Sequence, residues 1–237
     1  MTLSVIILCG GKGTRIKSVL GPIPKVLAPI GDKAFIDYLF KWIESGLISI
    51  KHNIILSTCV GHESIQKYVD DKSLVCRLSK EKDLLGTLGA VIDVVKRESL
   101  EGHALILNGD TIFDINLVSA YNKFIEDTSH PLLIVKRSVE SGRYGGYKHS
   151  AEGNIRFCDE DPEYISLGAF FCRCSDLTSF EGKVPTDPTK GKMLDIDFLD
   201  RSNIKTFILP KDVKFIDIGV PSDYKLAKQL IPTFFKS

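Results

Sequence analysis

Residues 3–31, LSVIILCGGKGTRIKSVLGPIPKVLAPIG, constrain this chain more than any other stretch. An apolar run, read as a buried strand over Leu3–Cys9, opens directly into a glycine-rich turn that carries Thr14 and Arg15. A lysine in a proline frame, Lys25, follows ten residues later. A strand that ends in glycines lets backbone N–H groups reach phosphate oxygens with no Cβ in the way. Arg15 can fork onto such oxygens, and Lys25 can set a point charge beside them. The pattern therefore predicts a polyphosphate site, and of neither common kind. No Lys-Ser/Thr pair closes the loop as a Walker A motif requires, and the third glycine of a dinucleotide fingerprint is replaced by Ile16.

Strands and amphipathic helices alternate downstream. Asn53–Ser57, Leu74–Leu78 and His103–Leu107 read as further strands. Phe35, Ile36, Leu39, Phe40 and Ile43 fall at helical spacing, with Gly46 suited to the helix end. Ile65, Tyr68 and Val69 mark a short helix, and Val91, Ile92 and Val95 the inward face of a helix over 87–98. This rhythm predicts a Rossmann-like, doubly wound α/β fold: a mainly parallel mixed sheet with helices on both faces. Ligands of such sheets bind at the carboxyl ends of strands, where both the glycine-rich turn and Asn108-Gly109-Asp110 fall. Beyond residue 115 the pattern loosens. Leu132–Val135, Ile165–Cys172, Ile204–Leu209 and Lys214–Asp217 read as strands, with helices near 116–127, 193–201 and 222–231. Ser222 is the expected N-cap of the last helix, and 140–163 and 181–192 read as loops.

With 237 residues, 43% of them hydrophobic, the chain can bury one full core. A formal charge of +1 without a basic run gives no support to nucleic-acid or membrane-surface binding. The apolar stretch Val5–Leu8 is too short for a secretory signal, and no run approaches the ~20 residues of a membrane span. No internal repeat or low-complexity tract appears. The six cysteines (9, 59, 76, 158, 172 and 174) show neither C-x₂-C nor zinc spacing, and read as reduced, buried thiols of a cytoplasmic protein. Cys172 and Cys174 would face the same way on a strand.

Four motifs occur in a fixed order: Gly10-Gly11-Lys12-Gly13-Thr14-Arg15-Ile16 followed by Pro24-Lys25-Val26, then LLGTLGA at 84–90, LNGDTIFDI at 107–115 and FIDIGVPSDY at 215–224. Together they resemble the sugar-1-phosphate nucleotidyltransferases, most nearly the short heptose-1-phosphate guanylyltransferase type. The resemblance covers nearly the whole chain. It implies a single domain over 1–237 of GT-A-like architecture, with a nucleotide-binding half over about 1–115 and a sugar-binding half over about 116–237. The implied reaction is attack of a sugar-1-phosphate oxygen on the α-phosphorus of a nucleoside triphosphate, releasing pyrophosphate. Such a reaction needs charge neutralised and groups aligned, not a nucleophilic side chain.

On this resemblance Arg15 and Lys25 carry the triphosphate and the transferring phosphate, while Asp110 and Asp217 hold Mg²⁺. Nucleotide contacts are implied at Leu8, Gly10, Gly11, Gly13, Thr14, Gly86, Thr87, Asn108 and Gly109. Asp83 is a carboxylate able to accept from guanine N–H groups, and Lys12 is a further candidate phosphate contact. GTP is the favoured donor, and a heptose or hexose 1-phosphate the favoured acceptor. Two departures stand out. Where many family members carry Glu-Lys-Pro, this chain has Cys158-Asp159-Glu160-Asp161-Pro162, and their Asn-x-Gly-Ile-Tyr is Ser166-Leu167-Gly168-Ala169-Phe170. Arg143, Lys148 or Arg156 would then supply the missing cation, giving a substrate set of Arg143, Gly145, Lys148, Ser166 and Gly168. Two rivals stay open: a cytidylyl- or uridylyltransferase with another phosphate acceptor, and a nucleotide-binding relative without transfer chemistry. The resemblance also admits a homodimer and a product destined for cell-surface polysaccharide.

Overall fold

The computed structural model describes residues 2–137, 146–150, 155–158, 160–180, 193–199 and 203–235. Strand β1 (Leu3–Leu8) is apolar almost throughout because it is covered on both faces, and Leu3, Val5, Ile6 and Ile7 have no exposed surface. Tight turns lead through α1 (Lys17–Leu20) and the hairpin β2 (Pro29–Ile30) and β3 (Lys33–Ala34) into α2 (Phe35–Gly46). The alternation continues with β4 (His52–Thr58), α3 (His62–Lys72), β5 (Arg77–Lys80), α4 (Gly86–Arg97) and β6 (His103–Asn108). These strands are parallel, in the order β5-β4-β1-β6.

After β7 (Thr111–Phe113) and α5 (Leu117–Ile125), the sheet is extended by β8 (Leu132–Arg137), β9 (Gly146–His149), β10 (Ile155–Cys158) and β11 (Tyr164–Arg173). β11 runs antiparallel to β6, β8 and β9, and β10 pairs with β9. The chain then passes through α6 (Cys174–Ser179) and a π-helical turn (Leu194–Leu199) to β12 (Lys205–Leu209), which lies parallel to β8. β13 (Phe215–Asp217) pairs with β7 in a separate two-stranded ribbon, and α7 (Pro221–Phe234) follows it. One apolar layer gathers Phe35, Leu39 and Ile43 of α2 with Phe124 of α5 and Ile231 of α7; the other gathers Leu88, Val91 and Val95 of α4 with Leu177 of α6. The expected mixed sheet is therefore present, parallel across its β5-β4-β1-β6 flank, antiparallel around β11, and helix-covered on both faces.

Several local expectations are corrected. The third strand is not Leu74–Leu78 but Arg77–Lys80, because α3 closes through Ser73 in the left-handed region and Leu74 N–H bonds back to the Val69 carbonyl. Ser222 does not cap α7: Val220 is the N-cap and Pro221 takes the first helical position, where its missing N–H costs nothing. Gly46 ends α2 without a positive φ. A Cβ there would meet Leu117 Cδ1 at 3.0 Å, so close packing and not backbone freedom requires glycine. The stretch 140–163 contains β9 and β10 in place of a continuous loop, and the described part of 193–201, residues 193–199, holds the π-helical turn. Cys174 opens α6, yet it is buried in the same apolar layer as Cys172. Half of the six free thiols, Cys59, Cys76 and Cys158, are only partly buried.

Candidate active site

The carboxyl ends of β1, β4, β5 and β6 meet along one edge of the sheet. There the glycine-rich turn leaves β1, with Cys9 N–H still bonded to the Ser57 carbonyl of β4 at 2.8 Å. Gly109, just past β6, lies flush against the end of β1: its N–H reaches the Leu8 carbonyl at 3.1 Å, and a Cβ would stand 2.6 Å from that same oxygen. This contact brings Asn108-Gly109-Asp110 beside Gly10 and Gly11. Between them opens a cavity of about 330 Å³. Of the residues expected to contact nucleotide, Leu8, Gly10, Gly11, Gly13, Gly86, Thr87, Asn108 and Gly109 line it, together with Lys25 and Asp110.

Asp110 and Asp217 are 107 residues apart in the chain, and the β7–β13 ribbon brings them together. Asp217 stands opposite Thr111 in the register, and Ile218 N–H donates to the Asp110 carbonyl at 3.0 Å. Burial first, and the Asp110 charge second, push the Asp217 carboxyl up to about 6. Gly219 N–H, Lys25 and Arg15 act in the opposite direction. Lys25 Nζ sits 2.6 Å from Asp110 Oδ2, while Thr111 Oγ1 donates to the other Asp110 oxygen at 3.1 Å. Arg15 is exposed, and its guanidinium would lie 3.4 Å from a Cβ on Gly219; neither Arg15 nor Asp217 belongs to the cavity lining itself. Two close carboxylates under partial cationic cover suit Mg²⁺, which takes one or two carboxylates and completes its shell with water and phosphate oxygens. Among the described residues no group of three or more His, Cys, Asp or Glu side chains forms a closed metal cage.

Other expected residues fall elsewhere. Thr14 and Lys12 are exposed and do not line the cavity. Asp83 is exposed too, whereas Glu81, two residues earlier, is 4% exposed and forms part of the cavity lining. Its carboxylate accepts the Ser57 hydroxyl at 3.2 Å, and burial raises its pKa. Sequence reasoning missed Glu81 because ending the third strand at Leu78 left position 81 adrift in a loop, whereas it directly follows β5 with its N–H still bonded to the Thr58 carbonyl of β4 at 2.8 Å. Cys9, Val26, Leu84, Ala90 and Met193 complete the lining; the first four lie in or beside the motifs, and Met193 carried no sequence signal. Gly168 has φ +67° at a bulge in β11, and a Cβ there would come within 2.6 Å of Asn108 Cγ. Ser166 Oγ accepts the Gly168 N–H at 3.1 Å. Lys148 is exposed on β9 opposite Arg156, away from the cavity lining, and Arg143 and Gly145 lie outside the described residues. Among the described residues, no helix is long and apolar enough to cross a membrane.

A glycine-rich turn, two converging aspartates and two nearby cations thus gather at the carboxyl edge of an α/β sheet. The nucleotidyl transferase family matches residues 4–175, and the chain belongs to that family. It is 31% identical over 229 residues to a D-glycero-alpha-D-manno-heptose 1-phosphate guanylyltransferase of Campylobacter jejuni, covering 94% of this chain and 97% of the relative. It is 33% identical over 247 residues to the enzyme of the same name from Aneurinibacillus thermoaerophilus, covering 96% and 97%. The crystal structure of HddC from Yersinia pseudotuberculosis complexed with GMP-PN superposes with a TM-score of 0.75 at 27% identity, over 96% of this chain and 98% of that one. The inositol-1-phosphate CTP transferase of T. maritima shares the fold, with a TM-score of 0.77 at 17% identity over 100% and 97% of the two chains.

Proposed function

We propose that this chain transfers GMP from GTP to a heptose 1-phosphate, forming a GDP-heptose and pyrophosphate. The observation that carries the reading is the pair of near-full-length relatives, both heptose 1-phosphate guanylyltransferases. The cavity chemistry supports the same donor. Guanine presents N1–H and N2–H₂ side by side, and a buried carboxylate such as Glu81 can accept from both.

In this reading Asp110 and Asp217 would hold Mg²⁺, which neutralises phosphate charge when bound. Lys25 and Arg15 place their charges on the phosphates, and the glycine-rich turn contributes backbone N–H groups with no side chain in the way. The acceptor oxygen is already anionic, so no general base is required of the chain. On this reading the reaction draws on cytoplasmic GTP, and its activated sugar would serve as a precursor of cell-surface polysaccharide.

The test is pyrophosphate release with Mg²⁺, pairing GTP, ATP, CTP and UTP with heptose, mannose, glucose and amino-sugar 1-phosphates. GTP with a heptose 1-phosphate is the expected productive pair. Turnover confined to CTP or UTP, or to another acceptor, overturns the substrate assignment. Nucleotide binding with no turnover on any acceptor points to a relative without transfer chemistry.

A further inference from the structure

Thr87 lines the cavity, but its oxygen is already engaged by the far end of the chain: it accepts the Leu194 N–H at 2.9 Å, across 107 residues. The segment pinned there is itself braced. Met193 N–H donates to the Asp197 carboxylate at 2.7 Å, and Asp197 N–H returns to the Met193 carbonyl at 2.8 Å. Leu194, Phe198 and Leu199 are buried in the apolar layer of α4, with the Phe198 ring against Phe170 and Phe180. These attachments hold Met193 in the cavity wall, near the start of α4 where Gly86, Thr87 and Ala90 also line it.

We propose that Met193 forms one wall of the nucleobase site, and that Thr87 is a positioning residue that holds Met193 there through the Leu194 N–H. The inference rests on the cavity being a nucleotide site. An unbranched, polarizable thioether adapts to a flat aromatic face and gains a sulfur–π contact against it. A purine offers such a face whichever groups its edge carries, so this wall contributes affinity while Glu81 reads the edge. On a free segment such a contact would also cost main-chain ordering; pinning the backbone at Leu194 and Asp197 removes that part and leaves only the side-chain rotamers to settle.

The test is a double-mutant cycle on the full chain, reading GTP affinity by calorimetry without acceptor, and KM and kcat for pyrophosphate release. Thr87→Val keeps the side-chain shape and deletes the acceptor, Thr87→Ser restores it, and Met193→Ala removes the wall. Thr87→Val and Met193→Ala are each expected to weaken GTP binding about two- to tenfold, with the change in KM exceeding that in kcat. The double variant should bind no more weakly than Met193→Ala alone, and Thr87→Ser should recover most of the loss. If Thr87→Val costs as much in the Met193→Ala background as in the parent, Thr87 acts on the nucleotide directly and the inference is overturned. An unchanged affinity in Met193→Ala also overturns it, with the cavity's assignment intact. A parent chain that binds none of the four nucleotides overturns that assignment and this inference together.

Discussion

A hydrogen in place of a Cβ at Gly61 lets the segment bearing Lys25 close on the sheet edge. Gly61 has φ +78°, and a Cβ there would stand 2.5 Å from Pro24 Cγ. Pro24 immediately precedes Lys25, and its carbonyl accepts the Leu27 N–H at 2.8 Å, so pressure on the ring displaces the whole turn. Gly61→Ala should therefore lower kcat by about 10- to 100-fold, since a shift near 1 Å at a reacting group costs that much. Gly31→Ala is the control for backbone strain: φ there is +64°, but a Cβ meets nothing within 4 Å. It should lose about 1 kcal/mol or somewhat more of stability and retain turnover. Equal loss of turnover in both variants removes the steric argument. Glu81→Gln belongs to the same scale. Exchanging an acceptor-only carboxylate for an amide should cut the preference for GTP over ATP by about 10- to 100-fold, read as a ratio of kcat/KM. An unchanged ratio takes Glu81 out of base selection.

Among the elements, the β7–β13 ribbon has the greatest consequence for the site, and it was the least legible in the sequence. The glycine-rich turn, the parallel alternation of the first strands with helices and the Asn-Gly-Asp turn could be read because each is signalled locally, by turn residues next to apolar runs. The convergence of Asp110 with Asp217 depends on a tertiary pairing of two three-residue strands, which no local propensity encodes. The same holds for β5, whose register follows from how α3 terminates, and for the β11 bulge that seats Gly168 against Asn108. The last two placements decide that Glu81 and not Asp83 meets the cavity, and where Ser166 lies. Ile216, 3% exposed in the middle of β13, anchors the ribbon to the core. Ile216→Ala should cost about 2–5 kcal/mol in urea unfolding. It should also shrink the stabilisation given by Mg²⁺, because Asp217 loses its fixed place beside Asp110. A variant that is destabilised but keeps its full Mg²⁺ increment would show that the ribbon does not set the carboxylate pair.

For the molecule as a whole, the sheet gathers opposed charges into one cleft, and its stability should therefore follow protons and cations together. Burial and the Asp110 charge push the Asp217 carboxyl from its ordinary value of 3.8 up to about 6, so the folded state holds the proton more tightly. A raised carboxyl contributes stability that is fully present below about pH 4 and is lost as pH rises through about 6. A divalent cation shared with Asp110 relieves the same repulsion and competes with that proton. Without metal, the melting temperature should fall between about pH 5 and pH 7 by the part that Asp217 contributes. Mg²⁺ should raise it more at pH 7 than at pH 5, in proportion to its tighter binding there. Asp217→Asn should abolish both the pH-dependent fall and the difference between the two Mg²⁺ increments, which scanning calorimetry at both pH values reads directly. An increment that is equal at pH 5 and pH 7, or that survives intact in Asp217→Asn, would assign the cation to Asp110 alone.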